Sequence, residues 1–192
     1  MMEEHKNIQI GDIILAEPFM EDTDFKRSVV LLCDHDDENG TIGFIVNKGT
    51  KLKLNDVLED FPFFDVAVNI GGPVQQDTLH FIHNIGPKLD GGIEVVDGIY
   101  WGGNYETLKI MIENNEVSPE NFKFFLGYSG WSVGQLEEEM GEKSWILSTP
   151  KQPHILPKLE GKTNGNLWKQ ILIEMGGKYK QIANFPEHPS LN

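Results

Sequence analysis

Residues 28–48 read SVVLLCDHDDENGTIGFIVNK. Two β-branched, apolar runs, 28–33 and 41–46, flank an acidic stretch that closes with Asn39-Gly40. That dipeptide tolerates the positive φ a tight hairpin turn requires, so the stretch predicts a β-hairpin. A first strand pair joined by a turn rather than by a helical crossover points to an antiparallel sheet.

The pattern begins upstream with GDIILAEPF, residues 11–19. Downstream, KLNDVLEDFP offers Asn55 as the N-cap of a short helix that Pro62 limits. VAVNI reads as a strand, GGPVQQD as a loop, and TLHFIH as another strand. GIEVVDGIYWGGN continues the β-and-turn texture, and NYETLKIMIENNE switches to helical spacing with Leu108, Met111 and Ile112 on one face. Ser118-Pro119-Glu120 signals a brief helix start. FKFFLGY and KSWILST read as strands, and a Pro- and Gly-punctuated segment occupies 150–165. A helix from about residue 166 places Leu167, Ile171 and Met175 on one side, and Gly176-Gly177 stops it. Strands outnumber helices. The expected fold is α+β, with a mostly antiparallel, curved sheet and a few flanking helices. The chain, 1–192, reads as one domain, with a core over 1–150 and a C-terminal helical arm over 151–192.

Composition narrows the function classes. A hydrophobic fraction of 39%, with eleven Phe and four Trp, supplies a core and excludes global disorder. No segment has the roughly 18 apolar residues of a membrane helix, and MMEEHKNIQIGD lacks the basic and apolar regions of a secretion signal. A cytoplasmic protein is expected. The single cysteine, Cys33, cannot form an internal disulfide and leaves no cysteine zinc cluster. The formal charge is −14, and Arg27 is the sole arginine, which argues against a nucleic-acid-binding face. The charge is uneven: 151–192 carries six lysines against three acidic residues, whereas 1–150 is strongly acidic.

Residues 127–140, GYSGWSVGQLEEEM, hold the densest cluster of special residues. GYSGW approaches the nucleophile elbow of a serine hydrolase, with Ser129 after a strand and before a helix. Trp131 stands where that turn needs glycine. A helix entry accounts for more residues: Ser132 as N-cap, Gln135 completing a capping box, and Trp131 with Leu136 as a hydrophobic staple. Gly141 stops this helix, and Gly134 is expected where something approaches the backbone closely. DHDDENG does not make a calcium loop, because with Gly40 sixth the first and twelfth positions are His35 and Val46. Cys33 ends an apolar strand and reads as buried structure rather than as an activated thiol. His80 and His83 fall on opposite faces of a strand, which disfavours a joint metal site. GGPV, 71–74, lacks the lysine and helix of a phosphate loop.

Three blocks, SVVLLCDHDDENGTIGFIVNK, NIGGPVQQDTLHFIH and FFLGYSGWSVGQLEEEM…SWIL, resemble the signature blocks of the AlgH/YqgE family of bacterial proteins. The likeness covers about residues 11–148. It implies an α+β fold with a bifurcated sheet rolled into a pseudo-barrel. Members commonly carry the label of transcriptional regulator, with no reaction, cofactor or catalytic residue established for the family. Carried over by position, the motif residues are His35, Gly43 and Asn47 in the first block, and Gly71, Gly72, Pro73, Val74 and His80 in the second. The third contributes Gly127, Tyr128, Gly130, Trp131, Gly134, Gln135 and Leu136.

The two glycine-rich blocks sit at strand ends, where converging loops commonly build a site. The expected function is a non-enzymatic module that binds a small ligand or a protein partner, with Trp131 and Tyr128 giving apolar contact and Gln135 and Asn47 hydrogen bonds. The alternative is a hydrolase using Ser129. No cofactor, metal or membrane partner is expected.

Overall fold

The computed structural model describes residues 7–156 and 166–187. The first strands are β1 (Ile13–Ala16), β2 (Val29–Asp36), β3 (Gly40–Ile45) and β4 (Gly49–Lys53). After the one-turn helix α1 (Leu54–Val57) come β5 (Ala67–Ile70), β6 (Val74–His83), β7 (Ile93–Val96) and β8 (Ile99–Trp101). Helix α2 (Tyr105–Glu113) leads to β9 (Phe122–Trp131), α3 (Gln135–Gly141) and β10 (Trp145–Ser148). The chain then forms α4 (Gln152–Ile155), α5 (Leu167–Met175) and α6 (Gly177–Ile182). Among the described residues no helix is long and apolar enough to cross a membrane.

The expected hairpin is β2–β3. At its tip the Asp36 carboxylate accepts the Asn39 side-chain amide (3.0 Å) and the backbone N–H of Glu38 (2.7 Å) and Asn39. These bonds, the Asn39 side chain first, hold its pKa below the usual carboxylate value. Gly40 takes φ +88°, and a Cβ there would lie 2.2 Å from the Trp131 carbonyl oxygen. Leu32 faces Gly43 and Asp34 faces Ile42, so Cys33 is the extra residue of a bulge. It is buried, and burial pushes its thiol pKa up.

The sheet runs β10-β1-β2-β3-β9-β6-β8-β7, and it forks at β9. The C-terminal part of β9 pairs with β3 through Ser129, Gly130 and Trp131. Its middle pairs in parallel with β5 through Phe124, Phe125 and Leu126, and β6 covers its other edge. Every other strand pair is antiparallel. The sheet curls without closing, and β7 returns toward Gly11, where a Cβ would stand 2.5 Å from the Val95 carbonyl oxygen.

Three cores follow from this curl. Inside it, Ile13, Leu31, Phe44, Ile82 and Phe125 pack with Trp168 and Ile171 of α5. Helix α2 lays Leu108, Met111 and Ile112 on Phe81, Phe122 and Phe124. On the outer face, Val30, Ile45, Trp131 and Trp145 meet Leu136 of α3. Arg27 pins the arm: its guanidinium lies 4.6 Å from the Trp168 ring centre and donates to the Phe185 carbonyl (2.6 Å). The Trp168 indole donates to the Ala16 carbonyl (2.8 Å).

Local expectations need correction in two places. Lys53, not Asn55, is the N-cap of α1, because Asp56 accepts the Lys53 N–H (2.7 Å). Asn55 instead ties the following loop, donating to the Phe61 and Pro62 carbonyls and accepting from Phe64 N–H. Helix α3 starts two residues later than a Ser132 cap implies. Trp131 remains the last residue of β9, and Gly134 caps the helix at φ +77°. Only the reciprocal half of the capping box forms, with Gln135 Oε1 accepting Ser132 N–H (2.9 Å). A Cβ on Gly134 would meet no atom within 4 Å. Its backbone angle, not a close approach, requires glycine. Gly141 lies within the last turn of α3, and the chain leaves through Lys143 at φ +65°.

Candidate functional site

The two glycine-rich blocks meet at the fork. Gly71 lies between the diverging strands, donating to the Leu126 carbonyl and accepting from Ile45 N–H, both at 2.9 Å. The Gly71 carbonyl also accepts the Ser129 hydroxyl (3.0 Å), and Ser129 is wholly buried. Ser129 is thus a mid-strand clasp across the fork rather than the apex of a strand-to-helix elbow. Added Cβ atoms would fall 2.3 Å from Gly127 O at Gly71, and 2.2 Å from the Tyr128 carbonyl at Gly72. Pro73 is exposed in the turn that follows.

Gly127 decides what each side of β9 shows. Its φ is +64°, and a Cβ would lie 2.6 Å from the Val74 carbonyl oxygen. Before it, Phe125 faces the interior of the curl while Phe124 packs against α2. After it, Tyr128 joins the interior cluster and Trp131 the outer one. One left-handed residue has shifted the two-residue alternation by one. Opposite it, β6 bulges from Val74 to Leu79.

The expected side chains therefore divide between two faces. On the outer face the His35 imidazole Nδ1 pairs with Thr41 Oγ1 (2.8 Å), and its Nε2 lies 3.5 Å from Glu137. Glu139 accepts both indole N–H groups, Trp131 at 2.9 Å and Trp145 at 2.7 Å, while its other oxygen accepts Gln135 (2.9 Å). These polar groups are satisfied by one another and hold α3 on the sheet. Asn47 is committed elsewhere, accepting Val29 N–H (2.8 Å) and donating to the Arg27 carbonyl (2.9 Å).

The interior face carries the less committed groups. Phe44, fully buried, is the hub: His80 lies 5.2 Å, Trp101 5.7 Å and Phe125 5.0 Å away between ring centres. The Tyr128 ring meets His80 edge-on at 5.8 Å. His80, Trp101, Tyr128, Ile42 and Val74 are half-buried, and together they form the rim of the curl. Gly130, exposed and without a side chain, leaves the Tyr128 ring edge uncovered, since a Cβ there would stand 3.2 Å from it. The Thr78 hydroxyl orients His80 through Nε2 (2.9 Å). Burial lowers the His80 pKa, so the imidazole is neutral at pH 7. Among the described residues neither the Trp101 indole N–H nor the Tyr128 hydroxyl makes a hydrogen bond. The arrangement offers flat apolar contact with two free polar edges.

His83, three residues along β6 from His80 and on the other face, stacks on Tyr100 at 5.5 Å and pairs with the Gly102 carbonyl (3.0 Å), so the two histidines share no site. Sequence reading passes over Trp101, Thr78 and Lys123. Trp101 carries a signal in its position two residues beyond a β-branched residue, Ile99. Lys123 stands out as a cation inside FKFFL; it is buried, and its ammonium donates to the Val46 carbonyl (2.8 Å).

A forked, incompletely rolled α+β sheet with a half-buried aromatic rim defines the class of protein. The chain belongs to the AlgH-like family, which matches residues 13–180. It is 38% identical over 192 residues to a UPF0301 protein of Chlorobium limicola, covering all of both chains. To one of Cytophaga hutchinsonii it is 40% identical over 183 residues, covering 95% of this chain and 98% of that one. The AlgH protein of Pseudomonas aeruginosa, solved in solution, superposes with a TM-score of 0.71 at 22% identity, covering 97% of this chain and all of that one. A crystal structure from Corynebacterium diphtheriae gives 0.75 at 20% identity, covering 95% of each. These structures share the fold.

Proposed function

We propose that the chain is a non-enzymatic binding module whose recognition surface is the rim formed by His80, Trp101 and Tyr128 around Phe44. One observation carries this reading: the half-buried His80 and Trp101 rings lie against buried Phe44 and Tyr128 meets His80 edge-on, while the polar edges of Trp101 and Tyr128 stay unused. Aromatic rings with a polar tip supply contact area at little cost in side-chain entropy, which is why they concentrate at recognition surfaces. Gly71, Gly72 and Gly127 of the signature blocks serve the fork. Ser129 has its hydroxyl engaged by Gly71, which leaves the hydrolase reading without support. A regulatory role would then run through a bound ligand or protein rather than through direct contact with DNA, consistent with the −14 charge.

Thermal-shift screening against aromatic metabolites, nucleosides and peptides tests the reading. A native-state ligand at 100 times its Kd stabilises by about 2.7 kcal/mol, roughly 5–10 °C for a chain of this size. Hits should vanish in Tyr128→Ala and His80→Ala and survive in Gln135→Ala on the opposite face. Hits insensitive to both rim substitutions would refute the assignment.

A further inference from the structure

The lysines and the arginine are distributed along the sheet in one sense. No Lys or Arg occurs in residues 28–47, 54–87, 89–108 or 124–142. These four segments include β2, β3, β6, β7 and β8 and the rim half of β9. Lys26 and Arg27 precede β2, Lys48, Lys51 and Lys53 follow the far end of β3, and Lys151, which approaches Val96 and Ile99 of β7 and β8, is paired with Glu174 at 2.9 Å. Lys123 is buried and donates to the Val46 carbonyl, at that same far end of β3. Carboxylates remain near the rim. Asp34 pairs across β2–β3 with Ile42, which pairs in turn with Gly130 of β9, so the three share a row on one face of the sheet. Asp36, Asp37 and Glu38 continue from that strand into the hairpin tip, and Asp77 lies in the exposed bulge of β6.

Resting on the rim as a binding surface, we propose that its occupant is a flexible Lys/Arg-rich segment of a protein partner, with a cationic side chain seated on the Trp101 and Tyr128 rings. Ring faces attract a cation through their quadrupole, Trp more strongly than Tyr, and Arg guanidinium stacks flat on either. The carboxylates add a field that draws cations to the rim and raises the association rate. His80 does not oppose this, because burial keeps its imidazole neutral at pH 7. The rings flank an open face rather than enclosing a chamber: Trp101, His80, Tyr128 and Gly130 all reach solvent. Such a surface suits a side chain presented by an extended segment.

The test is a ¹H–¹⁵N NMR titration of the full chain with an eight-residue Lys/Arg/Gly peptide, a Glu/Gly peptide of equal length, spermine, and indole as an uncharged aromatic. The basic peptide should shift the Trp101 indole N–H and the Tyr128 amide. Its affinity should fall at least tenfold in Trp101→Ala, Tyr128→Ala and Asp34→Asn, each checked for an intact spectrum, and fall again as salt rises toward 0.15 M. The acidic peptide should do neither. Equal affinity for wild type and the rim variants would mean diffuse attraction to a −14 chain and would overturn the proposal. So would absence of binding at low salt. Spermine matching the peptide at the same resonances would replace the protein segment with a small polyamine. Indole shifting the rim while the basic peptide does not would leave the binding surface standing and remove the cation.

Discussion

Wild-type stability should rise with pH between about pH 8 and 10.5, and replacing Lys123 by methionine should abolish that rise. Lys123 is buried, its ammonium donates to the Val46 carbonyl, and desolvation pulls its pKa from 10.5 to about 8. Below pH 8 both folded and unfolded chains hold the proton, and folding carries the cost of burying a charge. Between the two pKa values the folded chain has lost the proton and the unfolded chain has not, so unfolding takes up a proton and stability increases with pH. The roughly 2.5 pH units between them correspond to about 3 kcal/mol, of which about 2.5 kcal/mol falls between pH 7 and 10. The methionine side chain does not titrate but leaves the Val46 carbonyl unpaired, at about 1–3 kcal/mol. The Lys123→Met variant should therefore equal or exceed wild type at pH 7 by up to about 2 kcal/mol and lose that margin by pH 10. Urea unfolding followed by tryptophan fluorescence at pH 7, 8, 9 and 10 measures both curves. Their difference cancels the other titrating groups, Tyr105 included, whose hydroxyl burial pushes up to about 12. Parallel curves, differing by less than about 0.5 kcal/mol across the range, would show that the amine is solvated or paired and would refute the reasoning.

Three more outcomes concern the fork and the arm. Gly127→Ala combines a left-handed backbone with a Cβ 2.6 Å from the Val74 carbonyl, and should lower stability by about 2–4 kcal/mol in urea unfolding, whereas an effect below about 1 kcal/mol would contradict the phase shift at that residue. Ser129→Ala should cost about 1 kcal/mol, since Gly71 O keeps its bond from Ile45 N–H, and a fluorophosphonate probe should label neither protein; labelling of wild type lost in the variant would restore the hydrolase. Arg27→Ala removes the Trp168 and Phe185 contacts, so the arm should be cut by trypsin well before the sheet, and unchanged cleavage would show that the apolar packing of α5 suffices.

The hairpin is legible in the sequence because its signals are local: an Asn-Gly turn between two apolar runs, with Asp36 free to bind the turn backbone. The α2 face is legible for the same reason, since Leu108, Met111 and Ile112 repeat at the helical period and Asn104 caps the helix by accepting Glu106 and Thr107 N–H. Asn55 misleads because one side chain can bond either the helix start or the loop beyond, and only the position of Phe61 to Phe64 selects between them. Gly134 misleads because sequence does not distinguish a glycine kept for its φ from one kept for closeness. The signature residues stand out as a set, yet their division is hidden: Trp131 and Tyr128 are three apart, which a regular strand would put on opposite sides without saying which side faces what.

By itself the sequence determined the class of fold, the antiparallel opening hairpin, the scarcity of cations and the presence of two glycine-rich blocks, all of which rest on short-range turn chemistry and on composition. Tertiary structure alone decided that those blocks interlock as a fork. It also decided that Gly127 turns Tyr128 toward His80, and that Trp101, brought by β8 from another part of the chain, completes the rim. Such pairings join residues distant in sequence through backbone contacts that leave no periodic trace, and a single left-handed residue sets which face each later side chain occupies.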